Sequence, residues 1–590
     1  MGGQQPLENS AVQLYAAGSD GYGTGAQALT SAVYTGSDGG FSITDSYTCP
    51  TANPLTYLVA TGGEPGTGVN NPAITLMAVL GSCNDLSSIS FITIDEVTTI
   101  ASAWALAPFL GSGAQVGTSS GNQQGLVNAF ANVNNLVDLS TGTAPGTAAP
   151  QGAVIPISKI DTLANIVAAC VNSPGSDTCG KLFADATPST GIAPSNTLDA
   201  ALNIARNPSA NVAALYRIPL PSPPFQPTLG TAPPDWTLAV SYVEGGLCPY
   251  ESVEIGCEPG SIAVDASGNV WAANYWSSVT ELSNTGHLLS PGGGFTGGGL
   301  NESYGIAVGE NGSVWVTNEV TPGVNNGLGS LTVLNSLGQV NSPTGGYFGG
   351  GVDFPVGIAT DTDGSVWTAN YGDSTASRLS STGSAISGGT GFGVNQLVGP
   401  VAVAIDANHY AWLANQSADS GSVTSISPNG AQVTTIASGG DETSGIATDS
   451  IGMTGSVSGH VWTANYSSNS VSELELGTGG SAVVISTGYT GGGLSGPNSI
   501  AVDGAGNIWV TSFIGDTISE LQGAAGANPG QVLSPGGGFG QDAKLERPYG
   551  IAIDASGNVW VSNFGSSTIT QFLGAATPVQ TPLTGPAQLP

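Results

Sequence analysis

Basic side chains are scarce in this chain of 590 residues: Lys and Arg together number 7, against 40 Asp and Glu, for a net charge of −33. So acidic a surface repels nucleic-acid phosphates and anionic lipid headgroups, which need a basic face to displace counterions. Nucleic-acid binding is therefore excluded as a function class. Long apolar runs are missing too, and none reaches the roughly 18–20 residues of a spanning helix. Histidine occurs three times, as His287, His409 and His460, and never in the first 286 residues. No Lys precedes Lys159. There is no Walker loop or H-E-x-x-H motif, so the common phosphate and zinc signatures are absent. Met1-Gly-Gly-Gln-Gln has neither the basic start nor the apolar core of a secretory leader; if the protein is exported, a processed chain is expected.

What is present is glycine, 90 residues, and proline, 36, which point to many turns. Hydrophobics at 40% suffice for cores, and the length asks for more than one domain. The six cysteines fall into local pairs, Cys49 with Cys83, Cys170 with Cys179 and Cys248 with Cys257. Short loops close at the least entropic cost, so these three disulfides are expected, and with them an oxidising, extracellular compartment. The C-x8-C spacing of the last two pairs, with no His nearby, does not suit zinc.

From residue 259 one phrase recurs seven times, roughly P-x-G-I-A-x-D-x-x-G-x-V-W-x-x-N. Its tryptophans are Trp271, Trp315, Trp367, Trp412, Trp462, Trp509 and Trp560, spaced 44 to 52 residues apart. A period near 48 fits one four-stranded propeller blade. Gly-Ile-Ala-Val-Asp reads as a first strand, Asp-Ala-Ser-Gly-Asn as a tight turn, Val-Trp-Val-Ser-Asn as a second strand, Val279–Leu282 and Val471–Leu474 as third strands, and Val483–Tyr489 as a fourth. The repeated Trp is a packing element between blades. The seventh unit lacks a fourth strand, and an orphan strand, Trp236–Tyr242, precedes the first. The orphan is expected to complete the last blade and close the ring.

This phrase resembles the NHL-repeat propellers, including their streptogramin-lyase-like branch, over residues 236–575. The resemblance implies a seven-bladed β-propeller; fold alone does not settle function. Residues 1–68 resemble the prealbumin-like sandwich of carboxypeptidase-regulatory and Cna-B-type modules, through Pro6–Tyr15 and Ser37-Asp-Gly-Gly-Phe-Ser-Ile43. Those modules begin with one more strand, here missing, and without an early Lys the Lys–Asn isopeptide bond of some relatives cannot form. Residues 69–218 read as helical: Asp95-Glu96 opens the run Val97–Leu110, and Gln123–Leu139, Ile157–Val171 and Thr197–Arg206 follow. A Pro-rich linker spans 219–235 and a Pro-rich tail 576–590. The chain is thus expected to be mainly β and multidomain.

The lyase branch implies a His and carboxylate metal ligands near the channel. The residues ahead of the G-I-A position are Gly260, Tyr304, Val356, Val401, Ser444, Asn498 and Tyr549, none of them His or acidic. Tyr304, Asn498 and Tyr549 are therefore candidate binding residues at the channel mouth. The three histidines read as solvated turn residues, and Asp361-Thr-Asp-Gly-Ser365, a fragment of a calcium loop without its downstream acid, as a plain hairpin turn. No catalytic residue, metal or cofactor is expected. Three functions are consistent with this: a non-enzymatic extracellular or bacterial-type cell-surface binding or adhesion protein; a self-assembling filament or layer subunit; and a lyase or hydrolase. The second would rest on homotypic strand exchange, in which Thr577–Leu583 or Met1–Leu7 of another copy pairs with the unguarded edge Ala11–Tyr15.

Overall fold

The computed structural model describes residues 3–590 apart from 4, 45, 51–52, 176, 190, 219–221, 244–257, 322, 324, 417–420 and 451–458. Two compact units make up the chain: Met1–Val240 with Ser556–Asn558 and Phe572–Ala575, and Ser241–Ala555 with Val559–Gln571 and Ala576–Pro590.

In the first unit, β1 (Ala11–Ala16), β2 (Gln27–Ala28), β3 (Val33–Tyr34), β4 (Leu55–Thr61) and β5 (Thr75–Ser82) form one sheet in the order β2-β1-β4-β5, with β3 also on β1. The alternation in Ala11-Val-Gln-Leu-Tyr-Ala16 buries Val12, Leu14 and Ala16. Helices α1 (Glu96–Ala105), α2 (Gln123–Leu136), α3 (Ile157–Val171), α4 (Asp177–Asp185), α5 (Thr197–Arg206) and α6 (Val212–Tyr216) follow. Asp95 caps α1 in a reciprocal box with Thr98, which explains why the helix starts there. The helix is buried along its whole length and packs on β5, where Thr99 Oγ1 accepts from the Met77 amide at 3.0 Å. Cys49–Cys83 and Cys170–Cys179 are disulfide-bonded, which suits an oxidising environment. Cys248 and Cys257 lie outside the described residues.

Three expectations for this unit change. The segment 69–218 is not wholly helical, because β5 extends the sheet to Ser82: its run Thr-Leu-Met-Ala-Val-Leu is buried on both faces and so carries no alternation to read. Beside β1–β5 the described residues of this unit hold one further sheet, the short hairpin of Leu110–Gly111 with Gln115–Val116, and helices pack on β5. The edge at Ala11–Tyr15 is not free. Tyr34 and Val33 pair with Ala11 and Val12, and Ala28 with Tyr15, on the side opposite β4. The amino-terminal arm is also engaged within its own chain: the Gly3 amide donates to the buried Glu96 carboxylate at 2.8 and 3.0 Å.

The second unit is a β-propeller. Seven antiparallel sheets follow one another. Their inner strands are Pro259–Val264, Ser303–Val308, Pro355–Thr360, Pro400–Ile405, Thr443–Asp449, Pro497–Val502 and Pro548–Ile553. Each inner strand lies beside the next, and the last lies beside the first, so the cycle is closed. The sheets are not four-stranded throughout. The first, second, third and sixth carry three strands, and their fourth is reduced to isolated bridges such as Val279–Phe295 and Leu282–Leu288.

All seven repeat tryptophans are buried, and Trp271, Trp315, Trp367 and Trp412 pack toward the following sheet; Trp271, for example, clusters with Ile306, Val308 and Val314. Six of them also lie against an outer aromatic ring of their own sheet: Trp271 on Phe295 at 5.7 Å, Trp315 on Tyr347, Trp367 on Phe392, Trp462 on Tyr489, Trp509 on Phe539, and Trp560 on Tyr242 at 5.8 Å. The last pair is the ring closure. The strand Ala239–Tyr242 is the fourth strand of the seventh sheet, where Ser241 Oγ meets Thr570 Oγ1 at 2.9 Å and Tyr242 donates to Gln571 Oε1 at 2.6 Å. Trp236 itself precedes the strand. Gly286 of the first sheet must be glycine: its φ is 79°, and a Cβ there would lie 1.9 Å from the Tyr242 ring.

The recurring Asn serves as a clamp. Asn274, Asn318, Asn370, Asn415, Asn465 and Asn563 each donate to a Ser or Thr hydroxyl of the neighbouring third strand at 2.8 to 3.0 Å.

Candidate functional site

The inner strands enclose a cavity of about 580 Å³. Its wall is aliphatic because the repeat places Ile or Val at one inner-strand position in every sheet: Ile262, Ile306, Ile358, Val403, Ile446, Ile500 and Ile551 all line it.

One end is crossed by the chain's own tail. Val579, Thr581, Leu583, Gly585 and Ala587 line the cavity at alternate positions, as an extended segment presents them. The tail is held by five sheets. Thr584 donates to Glu310, Thr360 to the Leu583 carbonyl at 3.4 Å, Gly504 to the Thr577 carbonyl at 3.2 Å, and Val579 to the Asp554 carbonyl at 3.2 Å; Ala587 bridges Asp449. Its prolines suit a segment that contributes few amide donors. Thr577–Leu583, expected as a strand for export to a neighbour, is thus occupied at home. Deleting residues 577–590 is expected to leave a folded propeller whose Gly504 amide exchanges roughly tenfold faster or more. Unchanged exchange there by mass spectrometry would show that this tail contact is not maintained in solution.

The other end carries polar and aromatic groups. Tyr304, Asn498 and Tyr549 all line the cavity, as does Ser444. Asn498 donates to the Tyr549 carbonyl at 3.2 Å. One register further out stand the residues that follow the clamp position: Tyr275, Glu319, Tyr371, Gln416, Tyr466, Phe513 and Phe564. Five of these seven are aromatic, and reading the residue after W-x-x-N across the repeats would have found them. The rings touch in chains: Tyr275 meets Tyr304 edge-on at 5.0 Å, and Phe513, Tyr549 and Phe564 lie 5.8 to 6.4 Å apart. Burial and the Glu319 charge push the Tyr549 phenol up to about 12. Burial raises Tyr304 well above the usual range, helped by Tyr275, Tyr549 and Glu319. Burial, then Glu302, raises Glu319. The phenols therefore stay protonated and can donate.

The histidines are elsewhere. His287 is exposed in a turn. His409 occupies a left-handed turn position with φ 64°, and its Nδ1 lies 2.7 Å from Asp361 Oδ1. His460 corrects the expectation: it opens a strand, is 8% exposed, and faces Glu473 with Nε2 3.6 Å from Oε1. The turn at Asp361–Ser365 is filled by a guanidinium. Arg378 donates to Asp363 Oδ2 at 2.6 Å and Ser365 Oγ at 3.0 Å, lies 3.7 Å from Asp361 Oδ2, and stacks over Trp367 at 5.3 Å. A cation of the chain thus occupies the position a metal would need. Among the described residues no group of three or more His, Cys, Asp or Glu is placed to hold a metal ion, and no helix is long and apolar enough to cross a membrane.

No family model and no curated protein matches this chain. Solved structures similar to it include a streptogramin B lyase, at 15% identity and TM-score 0.38 over 53% of this chain and 93% of that one. A virginiamycin B lyase from Staphylococcus aureus, solved with quinupristin, gives 15% and 0.39 over 54% and 94%. A gluconolactonase from Xanthomonas campestris gives 13% and 0.33 over 55% and 100%.

Proposed function

We propose that this protein is a non-enzymatic extracellular or cell-surface binding protein, built on a seven-bladed propeller whose channel is a well. The observation that supports this reading is the cavity itself: crossed by the tail at one end, largely aliphatic within, ringed at the other by Tyr304, Asn498, Tyr549 and the aromatic residues beyond them. Preformed apolar cavities of this size with a few convergent polar groups are ordinary ligand sites. Its described lining holds one carboxylate, Glu319, and no histidine, which is a meagre set for general acid–base chemistry. The two disulfides fit an exported protein.

A thermal-shift screen with small amphipathic ligands tests the reading. Ligands are expected to raise the midpoint of the wild type and to lose that effect in the Tyr304→Ala/Asn498→Ala double variant. Lactones and cyclic depsipeptides are expected to remain intact with or without added divalent ions. Sustained turnover would overturn the non-enzymatic assignment; the absence of any ligand-induced shift would overturn the well as the site.

A further inference from the structure

Glu319 is the one formally charged side chain among the described residues that line the well. It is half-buried, and among the described residues its carboxylate accepts no hydrogen bond and forms no ion pair. It lines the same cavity as Tyr304 and Tyr549, and its charge raises both phenols. Among the described residues no Lys, Arg or His lines the cavity. Arg547 is exposed and couples electrostatically to Glu258.

Electron-rich ring faces attract a cation, and a partly desolvated carboxylate without a counter-charge gains most from one. A neutral ligand would bury that carboxylate unpaired, and an anion would meet repulsion. A hard metal ion asks for six or more oxygen ligands, far more than a single carboxylate among phenols and phenyl rings supplies. Deeper in the well the described lining is mostly aliphatic, including the tail's Val579 and Leu583, with the hydroxyls of Thr360, Thr448 and Thr581 as uncharged exceptions.

We infer that the well takes an organic ammonium ion with an apolar tail, its cationic head held by Glu319 and the rings of Tyr304 and Tyr549, its tail lying against Ile306 and Ile358. This deepens the binding reading above and rests on it.

The test is titration calorimetry of the full chain at low salt with hexyltrimethylammonium, 1-hexanol, hexanesulfonate and calcium chloride. Hexyltrimethylammonium is expected to bind at least about tenfold more tightly than hexanol, with hexanesulfonate and calcium not binding at the well. Glu319→Gln is expected to bring hexyltrimethylammonium and hexanol within about twofold of each other. Glu302→Gln, a rim carboxylate outside the lining, is expected to keep the preference. Equal or tighter binding of hexanol or hexanesulfonate, calcium binding that Glu319→Gln removes, loss of the preference in Glu302→Gln, or a preference that survives Glu319→Gln would each overturn the inference. Binding without charge preference leaves the well standing as a site; failure of all four ligands removes both.

Discussion

Acidification is expected to stabilise this protein, with a thermal midpoint at least about 5 °C higher at pH 5 than at pH 7.5. The cause is a set of carboxyl groups that folding keeps protonated. Burial pushes Glu96 up to about 8 and Asp161 to about 7. Burial together with the Asp95 capping arrangement leaves Asp95 at about 6. In the propeller, burial and the neighbouring Asp265 raise Glu281 to about 7, and burial and Asp503 raise Glu520 well above its ordinary value. Asn269 bridges the Asp265–Glu281 pair and Asn507 the Asp503–Glu520 pair. Each folded value lies above the unfolded one, so the native state holds more protons. The stabilisation is therefore fully present near pH 4 and is lost as pH rises from about 4.5 through about 8. Relief of self-repulsion at a net charge of −33 acts in the same direction. Calorimetric scans from pH 4.5 to 8 test this; a midpoint that is flat or falls on acidification would refute it. Glu96→Gln and Glu281→Gln should each flatten the slope.

Tyr242→Ala is expected to cost about 3–5 kcal/mol and to open the ring at one seam. The side chain is 2% exposed, lies on Trp560, fills the space above Gly286, and donates its hydroxyl to Gln571. Truncation removes the aromatic packing, leaves a void between the first and seventh sheets, and strips Gln571 of a donor. Hydrogen exchange should then accelerate first at Thr568–Phe572 and not in the fourth sheet. Uniform acceleration across all sheets, or a loss below about 1 kcal/mol, would show that this tyrosine does not hold the seam. Tyr242→Phe keeps the ring and should recover most of the stability.

The propeller was legible because its signal repeats. A strand too short to identify alone became secure when seven copies agreed, and the mismatch at the two ends of the array located the closing strand. Helix α1 was legible through Asp95-Glu96, and α3 and α5 through helical periodicity. Strand β5 was not, since burial on both faces erases alternation. Helices α4 and α6 are 9 and 5 residues long, too short to impose a period. Tyr304, Asn498 and Tyr549 share one repeat position and all line the cavity. The five aromatic residues that follow W-x-x-N or W-x-x-S carry no acid or imidazole, so nothing in their chemistry marks them within a single repeat. His460 reads as a turn residue from its spacing to Trp462, whereas backbone pairing with Asp449 and Glu475 extends the strand back to it.

The closing contact between Ser241 and Thr570 spans 329 residues. During synthesis, at about 5–20 residues per second, the strand that contains Ser241 waits about 16 to 66 s for its partner to emerge. Throughout that interval Val240 and Tyr242, both buried in the finished protein, have no sheet to join. The nascent chain therefore carries an unpaired apolar strand until the last propeller strand emerges.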